Sequence, residues 1–423
     1  MQNSSPTPPP VLSRRRELWL LLTLAGIQFT HIMDFMIMMP LGPQFTTLFG
    51  ISDAQFGLLV SAYTLAAGAS GLLASTYIDR FGRKRLLLVL YVLFGLATLA
   101  CGLAPGYAAL MTARILAGIF GGVLSALCQT IVGDVIPFER RGRAMGIVMT
   151  SFSVSTVAGV PIGLFLAAHL NWHAPFFLIA ALCGVLAAFA AWSMPALDHH
   201  LQAKDRPSAM SGIAQVLADP NHLKAFAFSG LLMFSGFTVI PYITIYMQTN
   251  VGLQAGEIPY LYLCGGIVTL FTARFFGKMT DRRGKVATFR ILAIAVIVPM
   301  MATTLAGRVP LAVALLISTL FFACMSGRMI PGMAILTSAA NPRLRGTFMT
   351  LNASMQSAAM GAAAFIGGLL ISRDAQGLVQ HYWMAGLVGV AASIASVFVA
   401  GKLVLHGALL PGAAEKKSDT SST

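Results

Sequence analysis

With 57% apolar and 10% charged residues over a length of 423, and a mean hydropathy of +0.78, this chain is excluded from the ordinary soluble domains. Its formal net charge of +14 does not point to nucleic acid, because the Lys and Arg residues sit in short loops between apolar runs. Anionic lipid headgroups are the counter-surface such loops suit. The cysteines (Cys101, Cys128, Cys183, Cys264, Cys324) lie inside apolar runs without metal-like spacing, so they read as packing residues and neither disulfides nor a metal site is expected.

Residues 1–13, rich in Pro and Ser, read as a disordered tail, as do residues 411–423. Apolar runs long enough to cross about 30 Å of hydrocarbon follow at 18–42, 53–77, 86–104, 107–132, 144–168 and 174–194. A second set lies at 225–248, 258–279, 287–306, 309–337, 346–371 and 382–404. The first run is too long for a cleaved signal peptide. An all-α membrane protein of twelve transmembrane helices is expected, with a first half at 14–194, a polar linker at 195–224 and a second half at 225–410. Loops on one side hold nearly all the basic residues, from Arg14 and Arg140 to Lys278, Arg345 and Lys416, whereas the other side keeps only Arg308 and Arg373. That bias places both termini in the cytoplasm, in a bacterial inner membrane.

The first helix carries Gln28, His31 and Asp34, a spacing that lines them along one face. Asp34 is the one acidic residue placed deep in a span. Between the second and third runs the segment Asp79-Arg80-Phe81-Gly82-Arg83-Lys84-Arg85 concentrates charge. The fourth helix holds Arg114, then Gly118, Gly121 and Gly122. Arg114 lies about 10 Å and Asp34 about 12 Å from the outer ends of their helices. Similar depth makes them candidate partners; the alternative is that each is satisfied separately, by a carbonyl or by water. The fifth helix contains Gly146, Gly159, Pro161 and Gly163. In the linker, Asp198, His199, His200 and Asp205 lack regular ligand spacing and read as a solvated stretch.

In the seventh helix Tyr242 and Tyr246 stand four apart, a pair open to either packing or binding. The segment Gly277-Lys278-Met279-Thr280-Asp281-Arg282-Arg283-Gly284 then echoes the first charged hinge about half the chain later. Likewise Arg345-Gly346 and Met349 echo Arg141-Gly142 and Met145. Self-similarity at half the length points to a duplicated, pseudo-symmetric transporter. Arg328, in the tenth helix, lies some 14 Å from the inner end. That is too deep for full snorkelling, so it is expected to face protein, water or substrate. Asn352, Ser354 and Gln356 in the eleventh helix are candidate hydrogen-bonding groups on a cavity wall.

These hinges resemble the signature loops of the major facilitator superfamily, and the resemblance covers nearly the whole chain. The family pattern G-x-x-x-D-R-x-G-R-K/R is matched at Asp79, Arg80, Gly82, Arg83 and Lys84, with Ser75 in place of the glycine. The second copy keeps its Gly277, beside Asp281, Arg282 and Gly284. Arg114 followed by Gly118 resembles the family's helix-4 motif. Gly159, Pro161 and Gly163 resemble the helix-5 pattern of its exporters in degraded form, since Val160 separates Gly159 from Pro161 and Ser155 replaces a glycine. A Gly/Pro-kinked packing helix is the other reading of that segment. The resemblance implies two pseudo-symmetric six-helix halves with helices 1, 4, 7 and 10 around a central cavity. It also implies a gate in which Asp79 meets the start of helix 11 near Gly346, Asp281 playing the symmetric role near helix 5.

The leading functional expectation is a secondary transporter of a small organic solute, most like the drug:proton antiporter and sugar-efflux branch, acting as a monomer without a cofactor. Asp34 is expected to carry the coupled proton with His31 as modulator or alternative carrier; a purely structural Asp34–Arg114 pair is the other reading. Gln28, Arg114, Tyr242, Tyr246, Arg328, Asn352 and Gln356 are the candidate substrate contacts, and Gly159, Pro161 and Gly163 the candidate helix-5 hinge. Proton symport or facilitated uptake of an organic anion or sugar-like solute is the alternative. His-Glu-x-x-His, Gly-x-Ser-x-Gly and a nucleotide-binding loop are absent, so neither an intramembrane enzyme nor a nucleotide-driven pump is expected. A solute-binding sensor without transport stays open.

Overall fold

Inside hydrocarbon each backbone N–H and C=O must find its partner within its own segment, so long apolar runs fold as helices. The computed structural model describes residues 13–136, 138–195, 197, 209–342 and 344–406, and among them twelve helices are long and apolar enough to cross a membrane. In chain order they are α1 (Arg14–Ile37), α2 (Asp53–Tyr77), α3 (Arg83–Gly102), α4 (Tyr107–Val135), α5 (Ala144–His169) and α6 (Ala174–Ser193). The second six are α7 (Pro220–Val251), α8 (Ile258–Arg283), α9 (Lys285–Leu305), α10 (Leu311–Ala339), α11 (Arg345–Leu370) and α12 (Tyr382–Ala400). A short helix, Gly42–Leu48, joins α1 to α2. A hairpin of two-residue strands, β1 (Ser372–Arg373) and β2 (Val379–Gln380), joins α11 to α12.

The expected linker at 195–224 needs correction at its end. Residues Ala209–Ala218 form a helix of their own, and α7 already starts at Pro220. Asp219 caps it, its carboxylate accepting from the Asn221 N–H at 2.8 Å, with Pro220 at the first helical position. Asp-Pro is a helix start that hydropathy alone passes over. Asp198, His199, His200 and Asp205 lie outside the described residues, as do 1–12 and 407–423.

Small residues decide which helices touch. On α4, a side chain at Gly118 would run into the Tyr63 carbonyl of α2, and one at Gly122 into the Ala67 carbonyl. Between the halves, α2 meets α11 around Tyr242 of α7, whose hydroxyl donates to the Ala364 carbonyl. A Cβ on Gly368 would lie 2.6 Å from that hydroxyl and 2.8 Å from the Asp53 carbonyl. Elsewhere α5 meets α8, where a Cβ on Gly266 would fall 3.0 Å from the Val157 Cα. Backbones this close gain dispersion contact that lipid cannot supply. Arg83, Lys84, Lys278 and Arg345 mark one end of the bundle, the basic face.

Candidate functional site

A cavity of about 830 Å³ extends from the basic face into the bundle. Gly133, Met145, Pro342 and Arg345 lie at its mouth, and His31, Phe35 and Tyr63 at its deep end. Its sides come from Thr64 and Ala67 on α2, Ser125, Gln129 and Thr130 on α4, and Thr350, Ser354 and Ser357 on α11. Phe35 stacks on Tyr63 with ring centroids 5.6 Å apart, and on Phe237 at 5.9 Å.

Behind Tyr63 lies the charge that the sequence singled out. The Arg114 guanidinium sits 4.2 Å from the centroid of the Tyr63 ring and donates to Asp34 Oδ2 at 2.8 Å, both charged side chains being fully buried. Thr98 donates to Asp34 Oδ1 at 3.2 Å, and Arg114 also reaches the Asp34 backbone carbonyl at 3.2 Å. Of the two options for this pair, the geometry takes the direct one. His31 lines the cavity and neither ring nitrogen has a hydrogen-bond partner, whereas Asp34 and Arg114 stand behind the end wall.

The remaining candidate substrate contacts do not line this cavity. Gln28 is buried one turn before His31, and Asn352 is buried on α11. Gln356 donates to Ser229 Oγ at 2.9 Å inside the second half. Tyr242 packs edge-on to Phe56 within the closure between the halves, and Tyr246 lies 4.8 Å from the Tyr382 ring. Packing accounts for the tyrosine pair.

Arg328 is fully buried between α7, α10 and α12. It donates to Ser235 Oγ and Ser393 Oγ, each at 3.1 Å, and to the Leu232 carbonyl at 3.2 Å. Its planar fork thus braces the second half with neutral acceptors. Arg328→Met should lower the stability of the purified protein by about 2–3 kcal/mol, because a charge-assisted fork is lost and two hydroxyls lose their donor. Substrate affinity should be unchanged in the same variant. A wild-type unfolding midpoint in detergent would contradict the bracing role.

Among the hinge residues, Arg83 is buried, donating to Asp134 Oδ2 at 2.9 Å and to the Ile78 carbonyl at 2.9 Å. Lys84 reaches the Ala191 carbonyl at 2.8 Å, so both cations tie the hinge to the first half. Arg80 is exposed, Gly82 precedes α3, and the Asp79 side chain lies outside the described residues. In the second copy Asp281 and Arg282 are exposed, a side chain at Gly277 would meet open space, and Gly284 turns the chain with φ +85°. On α5, Ser155–Gly159 is one π turn, in which the Val160 N–H reaches back to the Ser155 carbonyl. Pro161 follows without an N–H to give, which favours such a widened turn. Gly159 and Gly163 face Met33 and Ile37 of α1, so all three hinge candidates sit where α5 bends against α1.

Opposite the basic face a charged contact spans the two halves. Asp53, at the start of α2, accepts from Arg373 Nη2 at 2.7 Å and Nε at 2.9 Å, and Thr46 Oγ1 accepts from Nη2 at 3.4 Å. The Asp53 carboxylate, through these bonds, holds the Arg373 guanidinium above its ordinary value against partial burial. Asp374 steadies the hairpin by accepting from the N–H groups of Leu378 and Gln376 and from Gln380 Nε2. Slight desolvation raises its carboxyl, but those donors outweigh it and hold it below the usual range. Asn250, at the end of α7, clamps Val379 through both its amide groups.

Tyr63, Phe35, Ser125, Gln129 and the Asp53–Arg373 pair were not anticipated. A signal existed for two of them: Ser125 and Gln129 stand four apart inside an apolar run, and polar groups on one face of a span must face protein or water.

The chain is 26% identical over 340 residues to the uncharacterised MFS-type transporter YtbD of Bacillus subtilis, covering 80% of this chain and 84% of that protein. It is 30% identical over 201 residues to the gallate transporter of Pseudomonas putida, covering 47% of this chain and 44% of that one. Its fold superposes on a bacterial homologue of the human lysosomal transporter Spinster, in an inward-facing and unoccupied conformation, with a TM-score of 0.72 at 16% identity, over 93% of this chain and 98% of that one. For the D-xylose–proton symporter the TM-score is 0.71 at 17% identity, over 91% and 97%. The family profile matches residues 24–364, and with twelve membrane-length helices among the described residues the chain belongs to the Major Facilitator Superfamily of transporters.

Proposed function

We propose that this transporter moves a small organic solute across a bacterial inner membrane by alternating access, coupled to protons, with export as the leading direction. The observation that carries the reading is the buried Asp34–Arg114 pair set directly behind the end wall of a cavity that reaches the basic face. By the bias of Lys and Arg that face is cytoplasmic. Access is then from inside, while the Asp53–Arg373 contact closes the outside. A proton arriving on Asp34 replaces an ion pair with a neutral carboxyl beside a lone guanidinium. Arg114, stacked on Tyr63, transmits that change to the cavity wall. His31, on the same helix face and in the cavity itself, is the second candidate for the proton.

Export is supported by the exporter-like glycines of α5 and the π turn among them. Uptake is the second reading, favoured by the gallate transporter of Pseudomonas putida, whose named substrate is an organic anion. Proteoliposomes of both orientations loaded with radiolabelled gallate test coupling and direction together. Folded Asp34→Asn protein is expected to catalyse counterflow yet fail to concentrate solute against a pH gradient. Wild-type accumulation by that variant would remove Asp34 from proton coupling.

A further inference from the structure

We infer that the solute bound in this cavity is a hydroxylated organic acid in its anionic form, an assignment that rests on the cavity being the transport site. Charge comes first. Among the described residues no acidic side chain lines the cavity and the single full charge on its wall is Arg345 at the mouth, while Asp34 is neutralised by Arg114 behind the end. Past Arg345 an organic cation would meet no carboxylate among the described residues, whereas an anion is drawn in.

Hydrogen bonding comes second. Thr64 gives its hydroxyl proton to the Ser61 carbonyl at 3.0 Å, and Thr130 gives its own to Ala126 at 2.9 Å. A hydroxyl has one proton, so both present only lone pairs to the cavity and need O–H or N–H donors from the ligand. At the deep end the requirement reverses. The Tyr63 hydroxyl and both His31 nitrogens are buried at the end wall without a partner, and the two side chains converge on one spot of α4. A Cβ on Gly121 would lie 2.8 Å from His31 Nε2 and 2.9 Å from the Tyr63 hydroxyl oxygen. Arg114 over the Tyr63 ring withdraws electron density and strengthens its O–H as a donor to a carboxylate. The stacked rings of Phe35 and Tyr63 favour a flat ligand body. Hydroxyl groups along the sides and an acid group at one end meet all of these demands.

The test is equilibrium binding to the purified full-length protein in nanodiscs, with four probes: a dihydroxybenzoate, its neutral methyl ester, benzoate and tetraphenylphosphonium. Dihydroxybenzoate should bind about tenfold or more tightly than the ester, and Tyr63→Phe should remove most of that difference. Thr64→Val with Thr130→Val should weaken dihydroxybenzoate and leave benzoate unchanged. Arg345→Gln should weaken both anions about threefold and flatten their salt dependence. Gly121→Ala, which crowds His31 and Tyr63, should weaken the anions about tenfold or more, while Gly184→Ala on α6, away from the cavity and with open space around it, should not. Tetraphenylphosphonium bound more tightly than either anion, or no binding of dihydroxybenzoate, would overturn the substrate class while leaving the transport reading intact. Dihydroxybenzoate bound as expected, but never exchanged in counterflow, would overturn the transport reading and leave the site.

Discussion

Asp34→Leu should yield little folded protein, and adding Arg114→Leu should recover most of it. The single change leaves a guanidinium fully buried without its carboxylate, an arrangement that costs about 3–5 kcal/mol, whereas replacing both charges with apolar groups is close to neutral. Arg114→Leu alone should be as harmful, since it strands the carboxylate and also removes the cation stacked on Tyr63. Monodisperse yield and the unfolding midpoint in detergent read out both variants. The milder Asp34→Asn keeps a hydrogen-bonding group of the same size for Arg114 and Thr98, which is why it serves the coupling experiment. A single variant as stable as wild type would show that the pair does not hold α1 and α4 together.

Arg373→Gln should shift the protein away from the form described here by about 1–2 kcal/mol, roughly a 5- to 30-fold change in the ratio of the two access states. Arg373 is partly exposed (32%) and Asp53 is nearly buried (3%), so the bidentate pair is stronger than a surface contact and weaker than the Asp34–Arg114 pair. The measurement is the labelling rate of a cysteine placed at Met360, in the cavity, in protein otherwise free of cysteine. Reagent applied from the basic face should react more slowly with Arg373→Gln than with wild type, and the exchange Asp53→Arg with Arg373→Asp should restore the rate in part. Unchanged labelling would mean that Tyr242 and the α2–α11 packing hold the closure alone.

Hydropathy and the bias of Lys and Arg made the twelve helices legible, because lipid penalises unpaired backbone groups so heavily that composition alone decides what spans. The Asp34–Arg114 contact was legible too: a lone deep carboxylate and a deep guanidinium at matching depth have few other partners. Depth, however, does not give direction around a helix. Arg328 and Gln356 lie in spans that border the cavity or sit beside it, yet both turn into the second half. Tyr242, open to packing or binding from its sequence, fills the gap left by Gly57 and Gly368, a fit that only the packed backbones reveal. Asp53 and Arg373 are separated by 320 residues, and nothing local in either loop specifies the other.

The walls of the cavity are unequally shared. Among the described residues, the first half supplies them from α1, α2, α4 and α5, while the second supplies the α10–α11 junction and α11 alone. With that cavity as the proposed transport site, the first 194 residues hold most of the groups that would distinguish one solute from another, and the rest is expected to act largely as a movable door. In evolutionary terms, substitutions in the front of the gene should change what is carried, whereas those in the back should change how readily the door swings. A recombinant joining this first half to the second half of a relative with another cargo should inherit its substrate range from the front.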